Sequence, residues 1–297
     1  MLRYARMLAV GAAAAAIFGL ATTAQALVVG AYHIFPTPSY MAKLRKEGVP
    51  PPAGPVNYYG GSVFTGVKVV SVMWNTGVNP TTVATVPGFS AALVNSTYLD
   101  QMAQYDTPSV GINGHKGTNQ TIGRGTYLGQ VQIRPRHKSL NLTDADVQKE
   151  LEHQIRIGVL PPSDLNTLYM VYFPAAVKIN LDGAISCQDF GAYHFATHDS
   201  RLSKNNLFYA VEPDCRSGIN NITFAASHEF AEATTDNVPT PGSNPDFPQA
   251  WNDASGFEIG DLCGTSGTLS AAGVNYTVTQ YFLNSTGACS TGNYTSP

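Results

Sequence analysis

Charge is what this chain has least of. Only 12% of its 297 residues are Asp, Glu, Lys or Arg, with 17 basic against 20 acidic side chains. So few basic groups exclude the positive stripe that a nucleic-acid-binding surface needs. Long apolar runs are missing too. After residue 26 no segment approaches the roughly 20 uninterrupted apolar residues of a membrane span, so no span is expected. The four cysteines contain no C-x-x-C pair, which removes the usual spacing of a Cys-ligated zinc site. No internal repeat stands out, which argues against solenoids and propellers.

What is present begins with a leader. M-L-R-Y-A-R, an apolar Ala-rich run to Leu20, and A-T-T-A-Q-A have the basic start, apolar middle and small-residue exit of a secretory signal, with cleavage expected after Ala26. Its removal takes Arg3 and Arg6 and no acid, leaving 15 basic and 20 acidic groups and a mildly acidic surface. Residues 27–56, dense in Pro and Gly with P-P-P at Pro50 to Pro52, read as an extended lead-in, and residues 57–297 as one domain. The mature protein is expected to be secreted, extracellular or periplasmic. Cys187, Cys215, Cys263 and Cys289 then read as two disulfides. Three pairings are possible; sequence-neighbour pairing closes loops of roughly 25 to 30 residues, each contributing about 3 kcal/mol by loop entropy.

Apolar, β-branched runs predict strands at Val67 to Trp74, Leu168 to Phe173 and Leu207 to Val211, and alternation predicts another at Tyr127 to Ile133. Near-helical spacing of Phe89, Leu93, Leu99 and Met102 predicts a helix over 88–105. Thr143 with Asp146 forms a capping-box signature before Val147, Leu151 and Ile155, a second helix ended by Gly158 and Pro161. Strands alternating with helices, followed by a Gly-rich tail, predict a single α/β or α+β domain with a loop-rich, disulfide-bonded C-terminal third.

The chemistry concentrates in A-A-S-H-E-F-A-E-A-T-T-D, from Ala225 to Asp236. On a helix, His228 and Glu232 stand one turn apart on one face, and Glu229 lies on the next stripe. An imidazole and a carboxylate at i and i+4 can reach one cation, and the carboxylate after the His can act as general base. This is the spacing of the zinc-peptidase H-E-x-x-H helix with Glu232 in place of the second His. Downstream, Glu258 and Asp261 offer a third ligand from a Gly-containing turn. His194 is a further nitrogen donor and Asp236, one turn beyond Glu232, a further carboxylate. The plainer readings are solvated helix carboxylates, a turn whose acids cap backbone amides, and a packed histidine. Ser266 in G-T-S-G lacks the helix that should follow a nucleophilic serine, and Glu258 with Asp261 lie too close in sequence for a glycosidase pair.

Six stretches together resemble secreted bacterial relatives of the plant EXORDIUM, or phosphate-induced, protein family. They are Y-Y-G-G-S-V-F-T-G-V-K-V from Tyr58, Y-D-T-P from Tyr105, I-G-R-G from Ile122, L-P-P-S-D-L-N-T-L-Y-M-V-Y-F-P from Leu160, S-H-E-F-A-E-A-T-T-D from Ser227 and F-E-I-G-D-L-C from Phe257. The resemblance runs from about Asn57 to the C-terminus. It implies an extracellular protein associated with wall or matrix, and a two-part pattern that falls on His228, Glu229 and Glu232, then Glu258, Ile259, Asp261 and Cys263. The expectation is therefore a zincin-like domain, with a mixed sheet and an active-site helix, acting as a zinc metallohydrolase. A peptidase acting on extracellular protein or cell-wall substrates fits best. Glu229 would be its base, and His228, Glu232 and Glu258 or Asp261 its ligands. The alternative is a non-catalytic wall or matrix interaction protein with a structural ion. Calcium fits less well, because a His ligand argues against a hard-oxygen cage.

Overall fold

The computed structural model describes residues 28–29, 32–49, 51–112, 114–197, 206–239 and 248–292. The expected leader lies outside them. Strands β1 (Val28–Val29) and β2 (Tyr32–His33) pair antiparallel, and β3 (Phe35–Pro36) follows. Helix α1 (Pro38–Lys46) starts where the Thr37 hydroxyl accepts the Tyr40 N–H at 3.3 Å and Pro38 supplies the fixed φ of a first helical position. This corrects the extended lead-in expected over 27–56. P-T-P-S is a helix-start signal, and the residues before it enter the main sheet.

After β4 (Asn57–Tyr58), strand β5 (Gly66–Met73) matches the predicted apolar run. Helix α2 (Pro80–Val94) begins at Pro80 rather than at residue 88, because the Asn79 side chain accepts the Thr81 N–H at 2.9 Å. It stops at Asn95. Ser96 caps the short α3 (Thr97–Asp100), which continues as a 3-10 turn over Gln101–Tyr105, so the single helix predicted there is two pieces. Strand β6 (Gly123–Gln132), strand β7 (Asn141–Thr143) and helix α4 (Asp144–Arg156) follow. The capping box of α4 is present: the Asp146 carboxylate accepts the Thr143 N–H at 2.9 Å, and Thr143 Oγ1 accepts the Asp146 N–H at 3.3 Å.

The remaining elements are β8 (Thr167–Phe173), β9 (Lys178–Leu181), β10 (Ala184–Ile185), β11 (Phe190–Thr197), β12 (Leu207–Pro213), α5 (Ile219–Thr235) and β13 (Trp251–Asn252). Two hairpins close the described chain, β14 (Ser266–Ala271) with β15 (Val274–Thr279) and β16 (Tyr281–Leu283) with β17 (Ala288–Ser290).

The main sheet is mixed, in the order β3-β11-β12-β8-β5-β6, with β12, β8, β5 and β6 parallel and β11 antiparallel to both β12 and β3. Every residue of β8 is buried, as a central parallel strand covered on both faces requires. One face packs Leu168, Met170, Phe208 and Ala210 against Phe89 and Leu93 of α2 and Ala226 and Phe230 of α5. The opposite face packs Tyr169, Val171, Tyr209 and Val211 against Val147 and Leu151 of α4. Side chains of this size stabilise by about 1.5 to 3 kcal/mol each when fully buried. The result is an α/β/α layering with α5 laid over β11 and β12.

Both disulfides follow the sequence-neighbour pairing. Cys187–Cys215 ties the turn before β11 to the loop leading into α5, and Cys263–Cys289 ties the loop after β13 to β17.

Candidate metal centre

Helix α5 is buried along nearly its whole length, and its sequence allows that. Ala225, Ala226, Ala231 and Ala233 let the backbone lie close to the sheet. Its polar side chains turn to backbone: Ser227, Thr234 and Thr235 donate to the carbonyls of Phe224, Phe230 and Ala231 at 2.8, 2.6 and 3.1 Å. The helix enters from Gly218 at φ 84°, a left-handed conformation suited to glycine. Such a helix has no polar face turned to solvent, so its ionisable residues need partners inside.

His228 Nε2 lies 3.0 Å from Glu232 Oε1, and Asp261 Oδ1 lies 3.6 Å from the same nitrogen. Neither contact has hydrogen-bond angles, and the nitrogen is buried without a hydrogen-bond partner. Both oxygens thus lie beside one edge of the imidazole without hydrogen-bonding it. Backbone fixes the loop around them. The Asp261 N–H donates to Glu232 Oε1 at 3.1 Å, and the Glu258 N–H donates to Asp261 Oδ2 at 3.1 Å. A Cβ at Gly260 would come within 2.7 Å of His228 Nδ1 and 2.8 Å of Glu232 Oε1, so only glycine lets the loop approach this closely.

His194, on β11, projects under α5. Its Nδ1 is 3.1 Å from Glu229 Oε2 and its Nε2 is 3.1 Å from the Asp236 carbonyl. A carbonyl only accepts, so Nε2 carries a hydrogen and Nδ1 of a neutral ring is an acceptor. Glu229 must then donate, or the imidazole must be charged; either way one proton sits between the two side chains. Burial, the largest influence on each, pushes the Glu229 carboxyl well up and the His194 imidazole down, which selects the neutral pair. With both ring nitrogens engaged, His194 is placed to serve Glu229 more directly than to serve a cation.

Glu258 is fully buried, and neither carboxyl oxygen receives a hydrogen bond. It lies 3.7 Å from His194 Nε2 and 3.6 Å from His33 Nδ1. Burial first, then the charges of Glu232, Asp236, Asp261 and Glu229, raises its carboxyl well above the ordinary range. Asp236 accepts Asn252 Nδ2 at 2.7 Å, and burial pushes its carboxyl up to about 7. Burial, the largest influence, disfavours charge on His228, but the Glu232 and Asp261 carboxylates close beside it outweigh that and hold the imidazole well up. Among the described residues, no lysine or arginine pairs with these carboxyls. Buried like charges without a counterion are costly, so the cluster calls for protons or a cation.

The structure thus gathers His228, Glu232, Glu258, Asp261, Glu229 and His194 in one cluster. Two sets, His228–Glu229–Glu232 and His194–Glu232–Glu258, have donor atoms within 4.8 Å of one another. Asp236 closes α5 and buttresses His194 through its backbone. Three members were not found by sequence reasoning. His33 arrives on β2, inside the supposed lead-in. Gln249 joins His33 to Asn252, with its Nε2 3.4 Å from His33 Nε2 and 2.8 Å from Asn252 Oδ1. Glu212, on β12, is buried with both oxygens lacking hydrogen-bond partners, and its carboxyl is raised by burial and by Glu229. The alternation of Y-H-I-F was the only local signal for His33; Glu212 ends an otherwise apolar strand, which marks it as exceptional.

The cluster opens into a groove of about 800 Å³, whose lining includes His228 and Asp261 but not Glu229 or Glu258. Phe35 covers one side of the His228 ring at 4.6 Å between centroids. A smaller cavity of about 370 Å³, beside Asn79, Asp214 and Arg216, shares none of these residues. Comparison of the chain with protein-family models, with curated proteins and with solved structures finds no match, so the site's own chemistry carries the functional reading.

Proposed function

We propose that this protein is a secreted, zinc-dependent hydrolase with a zincin-like arrangement, acting as a peptidase on extracellular or wall protein. The observation that carries the proposal is the set His228, Glu229 and Glu232, whose donor atoms lie within 4.8 Å of one another, with His228 Nε2 lacking a hydrogen-bond partner and Asp261 Oδ1 3.6 Å from it. Zinc–ligand bonds of about 2.0 to 2.2 Å place tetrahedral ligands roughly 3.3 Å apart, and the observed separations of 3.0 and 3.6 Å bracket that value. One imidazole with carboxylates suits zinc better than calcium, which favours all-oxygen cages. Glu258, with two bare oxygens, supplies a further carboxylate beside this set.

Zinc held there would polarise a scissile carbonyl and make water a better nucleophile. Glu229 would accept the water's proton on Oε1, which has no hydrogen-bond partner, while passing the proton it shares on Oε2 to His194 Nδ1, so that the imidazole takes up the charge and holds the carboxyl in place. Glu232 in place of a second histidine adds negative charge to the ligand set and weakens the Lewis acidity available. Export is supported by the leader expected at the N-terminus, the two disulfides, and the absence, among the described residues, of any helix long and apolar enough to cross a membrane. The resemblance to the EXORDIUM family supports a wall or matrix setting.

The test is Glu229→Gln assayed on a denatured protein substrate. The zinc content should stay unchanged while hydrolysis falls by about 10² to 10⁴-fold, the usual contribution of a general base. The burial of Glu229 and Glu258 away from the groove favours a second reading, a non-catalytic interaction protein with a structural ion. On that reading Glu229→Gln alters neither fold nor binding, and His228→Ala lowers the melting temperature. A protease activity abolished by Glu229→Gln rules it out.

A further inference from the structure

The groove over His228 has an unusual balance of chemistry. Its walls are largely apolar, with Phe35, Phe224, Met41 and Leu262 among them, and Cys187, Cys215 and Cys263 place both disulfides in its sides. Only three lining residues are ionisable: His228, Asp261 and Arg45. On the reading above, the first two are taken up by the metal. Arg45 is left as the groove's own charge. It is exposed, sits in the last turn of α1 beside Lys43 and Lys46, and forms no ion pair among the described residues. In a chain with more acidic than basic groups, this end of α1 is one of two basic concentrations, the other being Arg134 to Lys138.

We infer that the groove is a specificity site for an extended peptide that carries a large apolar residue and, near it, an acidic side chain. The apolar walls bury the first, and Arg45 pairs with the second. The lining carries the hydroxyls of Thr37, Ser39, Ser217, Thr265 and Thr279 beside the Asn221 amide, but apolar atoms make up most of its surface, so a polysaccharide is the poorer occupant. The inference rests on the hydrolase reading for its substrate class, but the groove's preference can be read by binding alone.

The experiment uses the full mature chain carrying Glu229→Gln, loaded with zinc. Its ligands are four fluorescent decapeptides blocked at both ends, pairing Phe or Ala with Glu or Gln. The Phe/Glu peptide should bind tightest. Exchanging Glu for Gln should weaken binding by about fivefold, as an exposed ion pair allows. Exchanging Phe for Ala should weaken it by about tenfold or more, as lost apolar burial implies. Arg45→Gln should erase the Glu preference to within about twofold, and Arg45→Lys should keep most of it. A Glu preference that survives Arg45→Gln, or no preference for Phe, overturns the inference. If the peptides bind in the predicted order but wild-type protein cleaves none of them, the hydrolase reading fails and the groove assignment stands. Cleavage without these preferences has the opposite meaning.

Discussion

Gly260 is the residue on which the site's geometry turns most sharply. A methyl group there would press on both His228 Nδ1 and Glu232 Oε1, atoms 2.7 and 2.8 Å from the added carbon. Both side chains are enclosed in the buried cluster, so either they or the loop that carries Asp261 must shift, and the ligand geometry changes in each case. Gly260→Ala should leave the protein folded but weaken zinc retention against a chelator by at least about tenfold, the scale seen when groups that orient ligands are lost. Unchanged retention would mean that Asp261 takes no part. At this scale the sequence was informative wherever contacts are local. His228 and Glu232 share a face because helices repeat every 3.6 residues, and that could be read directly. His33 and Glu212 were hidden, because β-pairing of distant segments brings them to the cluster and nothing near them in the chain announces it.

Among the elements, the loop from Glu258 to Cys263 depends most on outside support. It contains no regular structure, yet it holds two of the cluster's carboxylates. Cys263–Cys289 anchors one end, and the Asp261 N–H bond to Glu232 anchors the middle. Replacing both cysteines by serine should cost about 3 kcal/mol of stability, from a loop closed over 26 residues. Urea unfolding measures that loss, and zinc retention should fall with it. If stability falls and zinc retention does not, the backbone bond alone holds the loop. Elements with strong internal signals were legible: β5 and β8 as apolar runs, α4 by its capping box. Helix α1 is not legible from composition, because proline density reads as extension, although Pro38 sits where a helix accepts it. The start of α2 was missed because its first turn, P-T-T-V, lacks apolar periodicity and is set by the Asn79 cap.

For the whole molecule, the order β3-β11-β12-β8-β5-β6 explains why the site lies at one margin of the sheet. Strand β11 carries His194, β12 carries Glu212, β3 places Phe35 against His228, and α5 covers them all. Neither this order nor the use of the N-terminal strand could be read from composition or periodicity, since both are properties of long-range pairing. What the fold achieves is a set of buried carboxyls that, among the described residues, have histidines beside them but no lysine or arginine, tolerable only with protons or a cation. Elemental analysis of the purified full-length mature chain at neutral pH tests this most directly, compared with a His228→Ala, Glu232→Gln double variant. The account predicts about one zinc per chain in the wild type and far less than one in the variant. A wild-type protein that is folded and free of stoichiometric zinc after incubation with the metal would contradict it.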